Sequence, residues 1–376
     1  MTNARNIPLD IFRGLVVLNM MFVDAPPDLA NIYGFFKHSP WEGITFADLA
    51  FPGFVFAMGA SLAFSLNGKN KKWLKTKIWF KKLLKRTLIL FFMGVAFNAC
   101  PQLINFFIVQ STDLSVFFYE TLNHLRILGV LQRLALVYFV ASVIIRFLNG
   151  KYIISTTFLL LIISSFLFHV YSPNSPFLQE HNLSIFIDLY FLGENHILYN
   201  DPLYEPEGFY GVIASVASML LGFKTAKFLI YENYRAMIFL GGGVIFIGGV
   251  WSIFDIISKP LWTSPYALLT AGYNIFLLFI IAFLYKKFQR VHKIFYPILG
   301  FGRNPIFFYI ATNFFLILLF TIKVSKEISL YVCLYQITVK DFVSPAFSSS
   351  LFAICWCMLW FPLAYYFYKK DILIKI

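Results

Sequence analysis

The stretch His38-Ser39-Pro40-Trp41-Glu42-Gly43-Ile44-Thr45-Phe46-Ala47-Asp48 sets an imidazole ten residues before a carboxylate, and Asp24 opens the same polar interval. An imidazole changes charge near neutrality, so a histidine here can act as a general base or as a nucleophile that carries an acyl group. Asp48 falls one turn inside an apolar segment, where a carboxylate needs a partner. A histidine at the mouth supplies one, and the carboxylate in turn orients the ring. A solitary loop histidine is ordinarily inert; Trp41, Glu42, Thr45 and Asp48 set this one apart.

Other charges sit where apolar sequence should exclude them. Asp10 and Arg13 are three apart on one helical face, so a mutual ion pair lowers the cost of both at a membrane boundary. The pair serves either as a helix anchor or, with Arg13 turned to a cavity, as a receiver of an anionic group. Arg126 is explained by snorkelling to the surface. Arg133, beside Gln132 and about two turns further in, should face the interior and pair with a carboxylate such as Asp48, or contact substrate. The interval from Ser172 to Gly208 carries Asp188, Glu194, His196, Asp201, Glu205 and Glu207, either as solvated loop charge or as a lid over a cationic or polyhydroxylated ligand. In Gly302-Arg303-Asn304-Pro305 an Asn precedes Pro at a helix start, a capping arrangement in which Arg303 can meet a phosphate. There is no Walker-type loop and no HExxH. Gly241, Gly242 and Gly243 lie in an apolar segment and read as close helix contact. Cys100, Cys333, Cys355 and Cys357 include no CxxC and read as small buried hydrophobes, with no metal site expected.

The elements that must position these residues follow from composition. The 376 residues are 59% hydrophobic, 20% aromatic and 13% charged, against roughly 45–50% apolar and about 25% charged in soluble chains. That excludes a water-soluble enzyme. Apolar runs near the roughly 20 residues that cover a hydrocarbon core recur at about 7–25, 45–67, 84–104, 125–148, 152–171, 209–229, 236–255, 266–285, 304–322 and 347–368. The expected fold is an all-α polytopic membrane protein with about ten crossings. The 31 Lys and Arg against 18 Asp and Glu, a net +13, gather in alternate intervals: nine cations from Lys69 to Arg86, then Arg146 and Lys151, then Lys224, Lys227 and Arg235, then four from Lys286 to Lys293, then three after Tyr368. These mark the cytoplasmic side and put both termini inside. The surplus charge therefore reads as topology, with anionic lipid as its partner and no role for nucleic acid. The first apolar run, broken by Asp10 and Arg13 and lacking a cleavage site, should persist as an anchor.

The stretch from His38 to Pro52, with Phe54 to Ser61 after it, resembles the signature of the heparan-alpha-glucosaminide N-acetyltransferase family and its bacterial relatives. The resemblance continues in order at Leu9 to Gly14, Leu125 to Leu134, Gly193 to His196, Pro206 to Gly208, Leu261 to Thr263 and Gly302 to Asn304, over about residues 5–312. It implies transmembrane acetylation: acetyl-CoA donates from the cytoplasmic side, and the amine of a terminal glucosamine accepts on the far side. The family's active-site histidine maps onto His38, which the charge-derived topology independently puts on the non-cytoplasmic face. Where family members often carry Asn at the end of the first helix, Asn after the signature Trp, and Asp in an Asp-Pro-Glu-Gly motif, this chain has Asp24, Glu42 and Glu205. A more acidic outer pocket suits a cationic amine.

The expectation is thus one transmembrane acyltransferase domain over 1–376, of the catalytic-domain form without the lysosomal members' large luminal N-terminal region, in a bacterial inner membrane. His38 acts as general base or acetyl carrier, with Asp48 and Asp24 beside it. Trp41, Glu42, Arg133, His196 and Glu207 surround the acceptor, and Arg13, Arg303, Asn304, Lys85 and Arg86 meet the CoA phosphates. Homo-oligomeric assembly is allowed. The alternatives are an O-acyltransferase of a cell-surface glycan, a sugar transporter, and a purely structural membrane protein. A transporter predicts repeated halves with matching broken helices. A structural protein leaves His38, Asp48 and Arg133 without a reason for their positions. A topology reporter fused after Lys82 is expected to read cytoplasmic; a periplasmic signal there would reverse the orientation of the whole chain.

Overall fold

Within a hydrocarbon layer no water satisfies the backbone, so long apolar segments must close their hydrogen bonds internally and become helices. A computed structural model of the chain describes residues 6–67, 76–109, 113–288, 293–325, 328–340 and 343–374. The cations Lys69, Lys71, Lys72, Lys75, Arg290, Lys326 and Lys375 lie outside the described residues. In chain order the helices are α1 (Ile7–Asp24), α2 (Ala50–Leu66), α3 (Thr76–Asn98), α4 (Cys100–Val109), α5 (Leu114–His124), α6 (Val130–Phe147), α7 (Ile153–Tyr171), α8 (Leu183–Leu192), α9 (Val212–Ile230), α10 (Tyr234–Trp251), α11 (Ser264–Phe288), α12 (Tyr296–Arg303), α13 (Pro305–Thr321), α14 (Leu330–Thr338), α15 (Pro345–Leu359) and α16 (Phe361–Lys369). A two-residue hairpin, β1 (Tyr199–Asn200) paired antiparallel with β2 (Leu203–Tyr204), precedes α9.

The chain is an all-α polytopic membrane protein. Among the described residues seven helices can cross a membrane by length and composition, and the bent pairs α3–α4 and α12–α13 bring the number to nine. Helix α1 has the length but carries Asp10, Arg13 and Asp24 among its 18 residues. Burial separates the centre from the rim: 72% of the α9 window is enclosed by protein, against 28% for α7 and 22% for α10. The outer helices turn Phe166, Phe239 and Phe246 outward, an apolar exposure that water would penalise and lipid tolerates.

Helices in lipid gain little from mutual apolar contact, so close backbone approach through small residues carries much of the packing. The α2–α9 pair shows this on both sides. A Cβ at Gly59 would lie 2.0 Å from the carbonyl oxygen of Met219, and one at Gly222 would lie 2.2 Å from that of Phe56. Only part of the glycine expectation for α10 holds: a Cβ at Gly241 would touch Ile275 and Phe276 at 3.1 Å, whereas Gly242 and Gly243 have nothing within 4 Å.

Other expectations shift in register. The segment expected as helix from 125 begins at Val130, because residues 125–129 are not helical: the Arg126 and Leu128 carbonyls accept from Asn98 at the end of α3, and the Ile127 N–H donates to the His196 carbonyl. The interval 172–208 is not a bare loop but contains α8 and the hairpin. Asn304 stands before Pro305 at the start of α13, yet its side chain makes no cap hydrogen bond. Helix α12 instead meets α13 at 94°, and the Asn304 amide donates to the Ile372 carbonyl at 2.9 Å and accepts from the Ile374 N–H at 2.8 Å. Of the cysteines, Cys357 is buried, Cys100 and Cys333 are half-buried and Cys355 is exposed on α15, so burial as small hydrophobes fits only the first.

Gly59→Val should destabilise the detergent-solubilised protein by about 1–3 kcal/mol, since the methyls have no room, and lower its melting temperature. Gly242→Val on the lipid-facing side should leave melting unchanged or raise it slightly, because Gly is a poor helix former.

Candidate active site

Asp48 lies in a single helical turn (Ala47–Leu49) that leads into α2, and its side chain is fully buried. A buried carboxylate must be met by donors, and the loop before α2 supplies them. One oxygen accepts from the Ser39 N–H at 3.2 Å, the Thr45 N–H at 3.0 Å and the Thr45 hydroxyl at 3.0 Å. The other lies 2.7 Å from His38 Nδ1. A carboxylate only accepts, so Nδ1 is the protonated nitrogen of the neutral ring, and the lone pair lies on Nε2. The ring stays open: the His38 side chain is 42% exposed. The loop is braced by stacking of Phe35 on Phe46 and by the Asn19 amide on the Phe46 carbonyl. Behind it the Tyr266 hydroxyl donates to the Asp48 carbonyl at 2.7 Å.

Lys259 approaches from the loop between α10 and α11, with Nζ 3.1 Å from His38 Nδ1 and 3.2 Å from Nε2. Nothing in its residue type or loop position singles it out in the sequence. The Leu261-Trp262-Thr263 stretch explains its placement. The Trp262 N–H returns to the Lys259 carbonyl, and the Thr263 hydroxyl closes the turn on the Ile256 carbonyl at 2.7 Å. Trp262 itself is fully buried with φ of 49°, edge-on to Phe51 and Tyr266. The Gly43 N–H donates to the Ile257 carbonyl at 2.7 Å and joins this turn to the His38 loop. Burial pushes the Lys259 ammonium below the ordinary lysine range, and the charges of Glu207, Asp48 and Asp24 oppose that.

Arg126 does not snorkel. Its guanidinium holds Glu205 through two hydrogen bonds, at 3.0 and 2.5 Å, and reaches Glu207 at 2.5 Å. Burial raises the Glu205 carboxyl, while the Arg126 charge holds that of Glu207 down. Arg133 is 1% exposed; it donates to the Pro206 carbonyl at 2.8 Å and lies 4.6 Å over the Trp262 ring. Asp48 is thus partnered by His38 and its own loop, and Arg133 holds the Pro206 turn. A Cβ at Gly211 would lie 1.5 Å from this guanidinium, so any larger residue there would displace it. Asp188, expected only as lid charge, accepts from the Phe209 N–H at 2.8 Å, and burial pushes its carboxyl up to about 7. His196 Nδ1 lies 2.7 Å from the Leu125 carbonyl, a tie between the 193–208 segment and the extended stretch before α6. Trp41 is half-buried, donates to the Phe177 carbonyl at 2.9 Å and packs edge-on against Tyr204. Glu42 is exposed, and its backbone carbonyl accepts the Ser39 hydroxyl. Asp24, at the end of α1, accepts from the Asn313 amide at 3.2 Å.

The residues expected at the cytoplasmic side divide in two. Arg13 and Arg86 line one cavity of about 140 Å³ with Val16, Phe54, Ser61 and Tyr138. Arg13 lies 3.4 Å from Asp10, the pairing their spacing suggested. Arg86 lies over the Tyr138 ring and donates to its hydroxyl at 3.3 Å, while its buried Nε has no hydrogen-bond partner among the described residues. Lys85 is exposed on α3 outside that lining. Arg303 joins Asp371 at 2.8 Å and covers Tyr368, so with Asn304 it holds the C-terminal segment.

Residues 5–241 match the family described as "Heparan-alpha-glucosaminide N-acetyltransferase, catalytic". The chain is 27% identical to heparan-alpha-glucosaminide N-acetyltransferase of Mus musculus and 25% identical to that of Homo sapiens, with 98% of this chain aligned in each case. It spans 60% and 59% of the length of those relatives. The matched region takes in the His38–Asp48 pair, the Arg126 ion cluster and both cavity arginines, and the chain belongs to the heparan-alpha-glucosaminide N-acetyltransferase catalytic family.

Proposed function

We propose that the protein is a multi-pass acetyltransferase of the bacterial inner membrane that moves an acetyl group from cytoplasmic acetyl-CoA to the amine of a glucosamine-type sugar on the periplasmic side. The observation that carries this reading is the His38–Asp48 pair, a ring with a fixed tautomer that is still partly open to solvent. With α1 counted as a tenth crossing and both ends in the cytoplasm, as the alternation of loop cations reads, that ring would lie outside. Arg13, in the first half of α1, and Asp24, at its end, are eleven residues or about 16 Å apart along the helix axis. The donor cavity and the acceptor site would therefore communicate through the bundle. Phe54 in the cavity lining is six residues from Asp48, about 9 Å along the span formed by the Ala47–Leu49 turn and α2.

Two routes use the same atom, Nε2. In a ternary complex, Nε2 takes the proton of the sugar amine as its nitrogen adds to the thioester carbon; the C–S bond breaks, and the CoA thiolate leaves and is protonated. In the stepwise route, Nε2 itself adds to that carbon and expels the thiolate, and the amine then displaces the imidazole. Asp48 holds Nδ1–H in both. Trp41, edge-on to Tyr204, offers an apolar face of the kind a sugar ring packs against, and Asp24, Glu42 and Glu207 supply negative charge for an ammonium. Arg13 and Arg86 would pair with CoA phosphate oxygens, and the free Nε of Arg86 is an unspent donor for one. Arg303, Asn304 and Lys85 drop out of this assignment, because the first two hold the C-terminal segment and the third lies outside the lining.

Membranes containing the protein, given labelled acetyl-CoA and a panel of amino sugars, should acetylate at least one amine, and His38→Ala should lower the rate by about a hundredfold or more. Equal labelling by both proteins would remove His38 from the mechanism, and no transfer to any acceptor would move weight to transport. Labelled acetyl-enzyme trapped without acceptor marks the stepwise route. Arg86→Met should raise KM for acetyl-CoA roughly ten- to a hundredfold, the equivalent of one lost charged hydrogen bond, with kcat nearly unchanged. An unaltered KM would take the phosphates out of this cavity.

A further inference from the structure

Lys259 is the residue at this site that the mechanism above does not use. Its side chain is only 17% exposed, and withdrawing an ammonium from water costs several kcal/mol unless something compensates. A lysine that served only as surface charge would extend into solvent and keep its rotamer freedom. This one is brought inward by a turn whose hydrogen bonds and buried tryptophan leave it little choice, and it ends 3.1 and 3.2 Å from the two nitrogens of His38. The nearest carboxylate does not account for that position. Asp48 lies further off, at 3.8 Å, and its oxygens already accept from His38, Ser39 and Thr45. Glu207 is engaged by Arg126. The charges of Glu207, Asp48 and Asp24 favour the ammonium form without capturing it, and its Nζ lies beside Nε2.

We propose that Lys259 is a catalytic residue whose ammonium stabilises the oxyanion formed on the acetyl oxygen during transfer. The inference rests on His38 being the centre of acyl transfer. When Nε2, or an amine hydrogen-bonded to it, adds to the thioester carbon, the C=O π pair moves onto oxygen. When the tetrahedral species collapses, that pair re-forms the carbonyl and the C–S bond breaks, releasing CoA as thiolate. An acyl carbon one bond from Nε2 has its oxygen two bonds from it, within reach of an ammonium 3.2 Å from the same nitrogen. In a recess partly closed to water, one such fixed cation acts with little screening and needs no reorganisation as the charge develops.

The test compares full-length wild type, Lys259→Met, Lys259→Arg and His38→Ala, purified in detergent and checked for unchanged elution and melting. Lys259→Met is expected to lower kcat by about a hundred- to a thousandfold, with KM for acetyl-CoA and amine nearly unchanged, and Lys259→Arg to recover part of the loss. A more electrophilic donor, chloroacetyl-CoA, needs less help at its carbonyl and should narrow the Lys259→Met deficit by about tenfold or more. Wild-type kcat in a folded Lys259→Met protein would overturn the proposal. So would a deficit identical for both donors, or equal losses of activity and melting temperature in the Met and Arg variants, which mark a structural lysine. Failure of the underlying reading looks different: wild type transfers to no acceptor, or His38→Ala retains the wild-type rate.

Discussion

Asp48 is a carboxylate that water cannot reach, and the loop before α2 is arranged around meeting its need for donors. Ionised oxygen taken out of water is costly unless its lone pairs are used. Four donors use them here, and all four belong to the His38–Thr45 segment that leads into α2. The same contacts that make the burial tolerable therefore fold the loop, seat it on the helix mouth and set the histidine tautomer. Without the carboxylate the Ser39 and Thr45 donors would lose their acceptor and the ring its orientation. Structure and chemistry at this point depend on one side chain.

The other buried charges follow the same rule, with partners from further along the chain. Arg126 satisfies Glu205 and Glu207, Arg133 takes the Pro206 carbonyl and the face of Trp262, and Asp188 takes the Phe209 N–H. Apart from the Trp262 face, which belongs to the loop before α11, each of these contacts lands on the segment between α8 and α9, which is thereby held against the start of α6. An ion pair of this kind adds little net stability over an apolar substitute, though breaking one half of it is severe. Its effect here is rigidity around a histidine that stays partly open. Walls that do not have to reorganise let fixed polar groups act with little screening.

Arg13 and Arg86 meet in one cavity, whereas Arg303 and Asn304 are drawn to Asp371, Ile372 and Ile374. Both pairs have the composition of a phosphate site. Which of them is available depends on where the C-terminal segment lies, and the sharp α12–α13 bend that brings Arg303 to it has only a local Asn-Pro signal in the sequence.

The all-α membrane class was legible without coordinates, because the apolar runs are long and the ladder of backbone hydrogen bonds within each is local. The Asp10–Arg13 pairing was legible for the same reason, as was the approach of His38 to Asp48 across ten residues. Short spacing confines such partners whatever the remainder of the chain does. Only tertiary structure brought Lys259 to His38 across 221 residues and Arg126 to Glu205 across 79. A lysine in a loop reads the same whether its ammonium is solvated or buried, and an arginine near a helix start reads the same whether it snorkels or is captured. The head group's partner is decided by which distant segments the helix packing sets beside it, and helices that associate through small residues such as Gly59 and Gly222 leave only a faint trace of that choice in sequence.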